Sequence, residues 1–246
     1  MKYLLLWLEA PLQSWGADSR FDFRKTMDAP TKSGIFGLLL AASGDSGPQE
    51  ELLARMANAP LSVVDFDGFT SRLTDFHMVG NGYRENDAWE KLFIPLKASE
   101  LNKKQKEKKS DENNREMSSG GLCTSREYLQ DRRFAAVLGL PDDLADKFAS
   151  ALQSPVFDLY LGRKCCAPTD LIFRGVFGSE VDAFGALQTL SVEKKLAPRF
   201  VYADAKPLED DAFLVNDVPV RFGRHRLYRD RWVVKSDWTP VPESGV

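Results

Sequence analysis

His77 and His225 are the only two imidazoles in the chain, and His77 lies close in sequence to Tyr83 and Lys91. Metal-free cleavage of RNA needs a base for the 2′-hydroxyl, a cation for the phosphate and an acid for the leaving oxygen, and side chains of these types fill those roles. The competing reading makes His77 a satisfied structural residue at a strand end. Arg224-His225 sets the second imidazole beside a cation. No G-x-S-x-G elbow, Walker A loop, G-x-G-x-x-G turn or H-E-x-x-H pair occurs, and Gly80-Asn81-Gly82 is too short to cradle a dinucleotide. The carboxylates lack the paired spacing of general acid and base work. Cys123, Cys165 and Cys166 form neither a C-x-x-C pair nor an even-numbered disulfide framework, and with two imidazoles no structural metal site is expected; recognition of an RNA strand would need no cofactor.

Binding of single-stranded RNA without cleavage uses more of these residues, because helix N-termini, basic loops and aromatic stacking all hold such strands. Thr31-Lys32-Ser33-Gly34 offers hydroxyls, a cation and free backbone N–H groups at a helix start, or simply a helix cap. Trp15 either stacks a base or covers the sheet edge. Gly162-Arg163-Lys164 brings backbone and two cations to a phosphate, or is an ordinary basic turn.

With 246 residues, 43% of them hydrophobic and 28% charged, the chain is long enough for one large domain or two small ones around a real core. The formal net charge of -3 gives no whole-molecule attraction to polyanions, so a nucleic-acid partner must be held by local patches. The apolar run at residues 1–9 is too short to span a bilayer and lacks the flanks of a signal peptide. A cytoplasmic protein with no membrane partner is the expectation, and the cysteine usage suits a reducing compartment.

The elements that must position these residues follow from periodicity. Tyr3 to Leu8 is a continuous apolar run, the pattern of a strand buried on both faces. A helix is predicted from Thr31 or Ser33 to about Ser43, and a second from Pro48 to about Asn58. Leu61 to Phe66 and Phe69 to Val79 read as paired strands joined across Asp67-Gly68. Phe134 to Leu140 reads as a strand, Pro141 to Leu152 as an amphipathic helix and Val156 to Leu161 as a further strand. This order is the split βαβ pattern of a ferredoxin-like domain.

Between Gly80 and Cys123 the pattern fails, and Lys97 to Arg115 carries seven basic and four acidic residues, a long excursion that either grips nucleic acid or is a solvated charge run. After Leu161 come a Gly-bearing turn at Gly175 to Gly178, a helical piece around Val181 to Leu190, and strands near Arg199 to Tyr202, Phe213 to Val220 and Trp232 to Lys235. The expected organisation is a ferredoxin-like domain over 1–160, with a thumb inserted at 80–123, and a small β-rich domain over 161–246. Within the latter, Asp204 to Asp217 has five acids and one Lys, whereas Arg221 to Lys235 has six basic residues and one acid. The second stretch is a candidate phosphate-facing ribbon.

Five ordered blocks carry a resemblance. They are YLLLWLEAPLQSWG from Tyr3 to Gly16, PTKSGIFGLL from Pro30 to Leu39, TDFH from Thr74 to His77, SREYL from Ser125 to Leu129 with FAAVL from Phe134 to Leu138, and YLGRKCC from Tyr160 to Cys166. Together they resemble the CasD family of type I-E CRISPR Cascade subunits, within the repeat-associated (RAMP) superfamily. The resemblance implies an α+β protein with an RRM-like, ferredoxin-like domain, a thumb and a small C-terminal domain. It implies a subunit that caps the CasC backbone, holds the 5′ handle of CRISPR RNA and contacts the large subunit CasA, meeting target DNA only through the complex.

On that basis the RNA-facing surface is expected at Gln13, Ser14 and Trp15 and at Thr31, Lys32, Ser33 and Gly34, with Arg126 and Arg163 as cationic supports and Lys164 beside them. The segment at 80–123 is longer than in similar family members. A type I-C cousin, similar in fold, cuts repeat RNA with a Tyr and an adjacent Lys-His pair. Here His77 follows Phe76 and His225 follows Arg224, and in type I-E systems a separate subunit, CasE, does the cutting. No catalytic activity is therefore expected, with metal-independent cleavage of repeat RNA as the alternative.

Overall fold

The computed structural model of the chain describes residues 1–16, 23–67, 71–79 and 122–240. In chain order the elements are β1 (Lys2–Gln13), β2 (Phe23–Arg24), α1 (Lys32–Ser43), α2 (Glu50–Met56), β3 (Leu61–Asp65), β4 (Arg72–Val79), β5 (Leu122–Leu140), α3 (Asp142–Gln153), β6 (Phe173–Phe177), α4 (Glu180–Glu193), β7 (Phe200–Asp204), β8 (Phe213–Arg221) and β9 (Leu227–Asp237). The result is a mixed α/β protein built on one large, mostly antiparallel sheet. Its main path runs β6-β1-β5-β3-β7-β9-β8, with β2 and β4 pairing off it onto β5.

Strand β1 is apolar at every position from Leu4 to Leu8 because both of its faces are covered. Successive side chains on a strand point to opposite sides. Leu4, Leu6 and Leu8 pack with Phe36 and Leu39 of α1, Met56 of α2 and Phe148 of α3, while Leu5 and Trp7 pack with Ala183 and Leu187 of α4. Each fully buried Leu or Phe contributes about 1.5–3 kcal/mol relative to exposure, so this doubly covered strand anchors the fold. Helix α1 begins where Thr31 Oγ1 accepts from Gly34 N, and it ends at Gly44, whose φ of 75° lets the chain turn away.

Three expectations are corrected. The segment 156–161 is not a strand: Val156 N and Phe157 N donate to Ala42 O and Ala41 O, at 2.9 and 3.3 Å, so it ties off the end of α1 instead. The strand beside β1 is β6, whose Gly175, with φ of 145°, disguises it as a turn. Leu61–Phe66 and the strand ending at Val79 do not pair with each other, because β3 is flanked by β5 and β7 while β4 pairs with β5.

The division expected at 160/161 does not match the compact units of the structure. Antiparallel pairing of Ser62–Asp65 with Phe200–Ala203 adds the C-terminal strands to the same sheet, which covers an edge of β3 that would otherwise be open. One unit comprises Met1–Asp18, Lys25–Leu73 and Glu127–Val246, and the other comprises Ser19–Arg24 and Thr74–Arg126. In the smaller unit, β2 runs parallel to the start of β5, with Phe23 beside Ser125 and Arg24 beside Arg126. The expected thumb at 80–123 falls almost wholly outside the described residues.

Candidate nucleic-acid interface

The end of β1 positions the first group of expected site residues, and it divides them. Gln13 is fully buried: its amide donates to Leu8 O at 3.1 Å and Arg132 O at 2.6 Å, and its Oε1 accepts from Trp15 Nε1 at 3.0 Å. Trp15 is 0% exposed and fixes the returning chain, with its N–H donating to Thr26 Oγ1 at 2.8 Å. A Cβ on Gly34 would lie 2.7 Å from the Trp15 ring, so that glycine admits the indole beneath α1. The ring expected to stack a base or cover the sheet edge is a core residue, and Gln13 braces it. Ser14 is also buried, and its hydroxyl donates to Glu127 O at 3.4 Å.

The start of α1 has the properties of an anion site, and a carboxylate of the same chain occupies it. Lys32 N donates to Asp217 Oδ2 at 2.7 Å. Arg231 clamps that carboxylate through Nε at 2.7 Å and Nη2 at 2.9 Å, and reaches Asp204 through Nη1 at 2.6 Å. Lys32 is 3% exposed, with Nζ 3.7 Å from Asp204. Burial pushes its ammonium below the ordinary lysine range, only partly offset by Asp204. Two cations and two carboxylates thus join the helix start to the β8–β9 hairpin. Thr31 is spent on the cap and Ser33 Oγ lies 3.3 Å from Thr31 Oγ1. The expected phosphate contact by Lys32 has no exposed ammonium to make it.

The 161–166 segment is different. Ser14 N donates to Leu161 O at 3.0 Å, and the turn closes on itself through Leu161 N to Cys166 O and Cys166 N to Arg163 O, both 2.8 Å. Gly162 has a φ of 102°, and a Cβ there would lie 1.7 Å from Ser14 O, so two backbones meet where no side chain fits. Arg163 donates from Nη1 to Glu127 O at 3.0 Å, and its guanidinium stands 4.6 Å from the centre of the Tyr128 ring. Cys165 Sγ donates to Tyr128 Oη at 3.5 Å. Buried Cys166 has its thiol pushed up to about 11 by burial. Lys164 is exposed at the tip.

The structure therefore brings Ser14 and Arg163 onto the same carbonyl, Glu127 O, with Gly162 pressed against Ser14 and Lys164 facing solvent. Arg126 belongs to the smaller compact unit, where it lies beside Arg24. The His77 side chain, Tyr83 and Lys91 lie outside the described residues, and so does the Gly80-Asn81-Gly82 run. His225 is exposed in the β8–β9 turn, and its carbonyl accepts from Arg221 Nε at 2.7 Å. Among the described residues no group of three or more His, Cys, Asp or Glu is arranged to hold a metal, and no helix is long and apolar enough to cross a membrane.

Sequence reasoning missed Tyr128, Asp217 and Arg231. Tyr128 stood out only as a member of the SREYL block from Ser125 to Leu129, with no sign of its contact to Arg163. Asp217 and Arg231 gave one, since they sit in neighbouring stretches of opposite charge, and opposite charges on the two strands of a hairpin pair with each other.

Three comparisons bear on this arrangement. Residues 3–234 match the family described as CRISPR-associated protein (Cas_Cas5). The chain is 28% identical over 184 residues, 70% of each chain, to the protein named CRISPR system Cascade subunit CasD of Escherichia coli strain K12. A chain of a solved CRISPR RNA-guided surveillance complex superposes with a TM-score of 0.69 and 25% identity, covering 96% of this chain and 89% of that one. A structure described as a Cas protein superposes with a TM-score of 0.60 and 25% identity, covering 97% and 95%.

Proposed function

The chain belongs to the CRISPR-associated Cas5 family, and from that premise we propose that it is a non-catalytic subunit of a type I-E Cascade complex that holds the 5′ handle of CRISPR RNA. In the same reading it caps the CasC backbone, contacts the large subunit CasA and meets target DNA only through the assembly. The similarity to a protein named Cascade subunit CasD and to a chain of an RNA-guided surveillance complex supports this assignment. The strand order β6-β1-β5-β3, antiparallel throughout and carrying α1 and α3 on one face, supports its finer description as a ferredoxin-like, RRM-like domain.

The observation that carries the handle-holding role is the 161–166 turn. Its backbone is seated on Ser14, its arginine is braced by Glu127 O and Tyr128, and its Lys164 is exposed. A turn so held presents a cation at small entropic cost, which suits a phosphate of a strand whose sequence is read elsewhere by base pairing. The test uses the full chain, with and without co-expressed CasC and CasA, and end-labelled cognate repeat RNA in chelator. Intact RNA retained by the protein or its complex is the expected result. A discrete metal-independent cut that disappears in His77→Ala or His225→Ala would replace this reading with a processing endoribonuclease.

A further inference from the structure

The basic ribbon from Arg221 to Lys235 has no part in the turn that carries the proposed handle contact, and the structure divides its six cations. Three are committed internally. Arg231 is locked to Asp217 and Asp204, Lys235 lies 3.9 Å from the centre of the Phe200 ring, and Arg221 bonds His225 O and reaches Glu50 at 3.5 Å. The other three, Arg224, Arg226 and Arg229, are exposed and have no side-chain partner among the described residues.

These three arginines sit within six residues at the tip of the β8–β9 hairpin, where Gly223, with φ of 87°, makes the turn. The tip is held at its base. Arg221 Nε closes the turn onto His225 O, Phe222 N donates to Pro48 O at 3.1 Å, and Arg231 fastens β9 to β8 through Asp217. The one acid in the ribbon, Asp230, accepts a hydrogen bond from Asn216 and does not pair with any of the three. In a chain of net charge -3, a firmly held projection with three unneutralised guanidinium groups is a local exception. Guanidinium forks match phosphate oxygens in pairs, and a rigid hairpin loses little freedom on binding.

We infer that the tip of the β8–β9 hairpin, through Arg224, Arg226 and Arg229, is a second contact for a nucleic-acid phosphodiester backbone, separate from the turn at 161–166. The preference for nucleic acid over an acidic protein surface rests on the function proposed above. The contact reads charge and not sequence, and both duplex DNA and single-stranded RNA carry the chemistry it needs.

The test measures affinity of the full-length protein for a non-cognate DNA duplex and for a scrambled single-stranded RNA across a salt series. The variants are R224A/R226A/R229A and the charge-conserving R224K/R226K/R229K. The alanine variant is expected to lose about tenfold or more in affinity, and its log–log salt slope to fall by about 2–3, given roughly 0.9 per duplex phosphate and 0.7 per single-strand phosphate. The lysine variant should keep the slope. A change confined to the duplex arm identifies DNA as the ligand, and one confined to the single-strand arm identifies RNA.

Three results would overturn the inference: an unchanged slope in both arms, no binding of either nucleic acid at low salt, or tighter capture of polyglutamate than of nucleic acid in a tip-dependent manner. Retention of cognate repeat RNA against the scrambled strand is measured in parallel. Loss of that discrimination in the wild type removes the handle-holding role while leaving the tip contact standing, so the two failures are separable.

Discussion

The start of α1 and the turn at 161–166 present the same raw materials: a small residue, a lysine, a hydrogen-bonding backbone and closeness to the end of β1. They end in opposite states. At α1 the free N–H of Lys32 is taken by Asp217, and the lysine side chain is buried against Asp204. At 161–166 the backbone is also satisfied from within, and Arg163 is steadied by a carbonyl and an aromatic face, but Lys164 is left in solvent. An anion-binding pattern thus records a local capacity, and the tertiary partner decides whether the protein keeps that capacity for itself.

The largest expected effect tests the close approach beneath the second region. Gly162→Ala places a Cβ 1.7 Å from Ser14 O at a φ of 102°, so either the turn or the end of β1 must move. The expected cost is about 4 kcal/mol or more in denaturant unfolding, with loss of RNA retention. A loss below about 1 kcal/mol would mean that the turn is not seated as described.

Asp217→Ala tests the first region. It removes a carboxylate that is 2% exposed and leaves Arg231 and the Lys32 N–H without it. Breaking such a buried pair should cost about 3 kcal/mol. The variant also sharpens the comparison: inorganic phosphate should raise the melting temperature of Asp217→Ala and not that of the wild type, because only the variant has an unfilled helix start. Equal stabilisation of both proteins would break the contrast between the two regions.

Much of the scaffold was legible and part of the site was not, for reasons that individual residues make plain. The unbroken apolar run in β1 announced burial on both faces, and the periodicity of Leu144, Phe148 and Leu152 announced α3. Val156, Leu159 and Leu161 looked like strand residues, but α1's terminal carbonyls take the N–H groups of Val156 and Phe157, an arrangement no local pattern reveals. Strand β6 was hidden by its central Gly175. Gly162 was readable as a turn. Trp15 was not readable as core, because the glycine that makes room for it, Gly34, lies nineteen positions later. Asp217 and Arg231 were visible only as members of charged stretches, since pairing them requires the β8–β9 register.

A smaller effect concerns the chain that leaves the 161–166 turn. Thr169 N donates to Glu9 O at 2.9 Å, and Asp170 then joins Lys194 and Arg174. The hydrogen bond from Lys194 is the main cause that holds Asp170 at about 2, against an ordinary value near 3.8. A carboxyl depressed in the folded state contributes stability that is complete above its unfolded value and is lost as pH falls through the folded one. After solvent screening, on the order of 1 kcal/mol should therefore disappear between pH ~4 and ~2, and Asp170→Asn should flatten that part of the acid titration. A pH profile identical to wild type would show that this anchor is not held by charge.

The smallest effect is the most specific, because it sets one lysine of each region against the other. Lys164 is exposed, so Lys164→Ala should change stability by less than about 0.5 kcal/mol. If that ammonium meets an RNA phosphate, the log–log salt slope of repeat-RNA binding should fall by about 0.7. Lys32 is buried beside Asp204, so Lys32→Met, which keeps the apolar stem, should alter unfolding and leave the slope where it was. Counterion release counts only the cations that reach a phosphate, whatever else a substitution disturbs. A reduced slope in Lys32→Met with an unchanged slope in Lys164→Ala would therefore reverse the two regions: the helix start would open to RNA, Asp217 would be a displaceable occupant, and the turn at 161–166 would be scaffold.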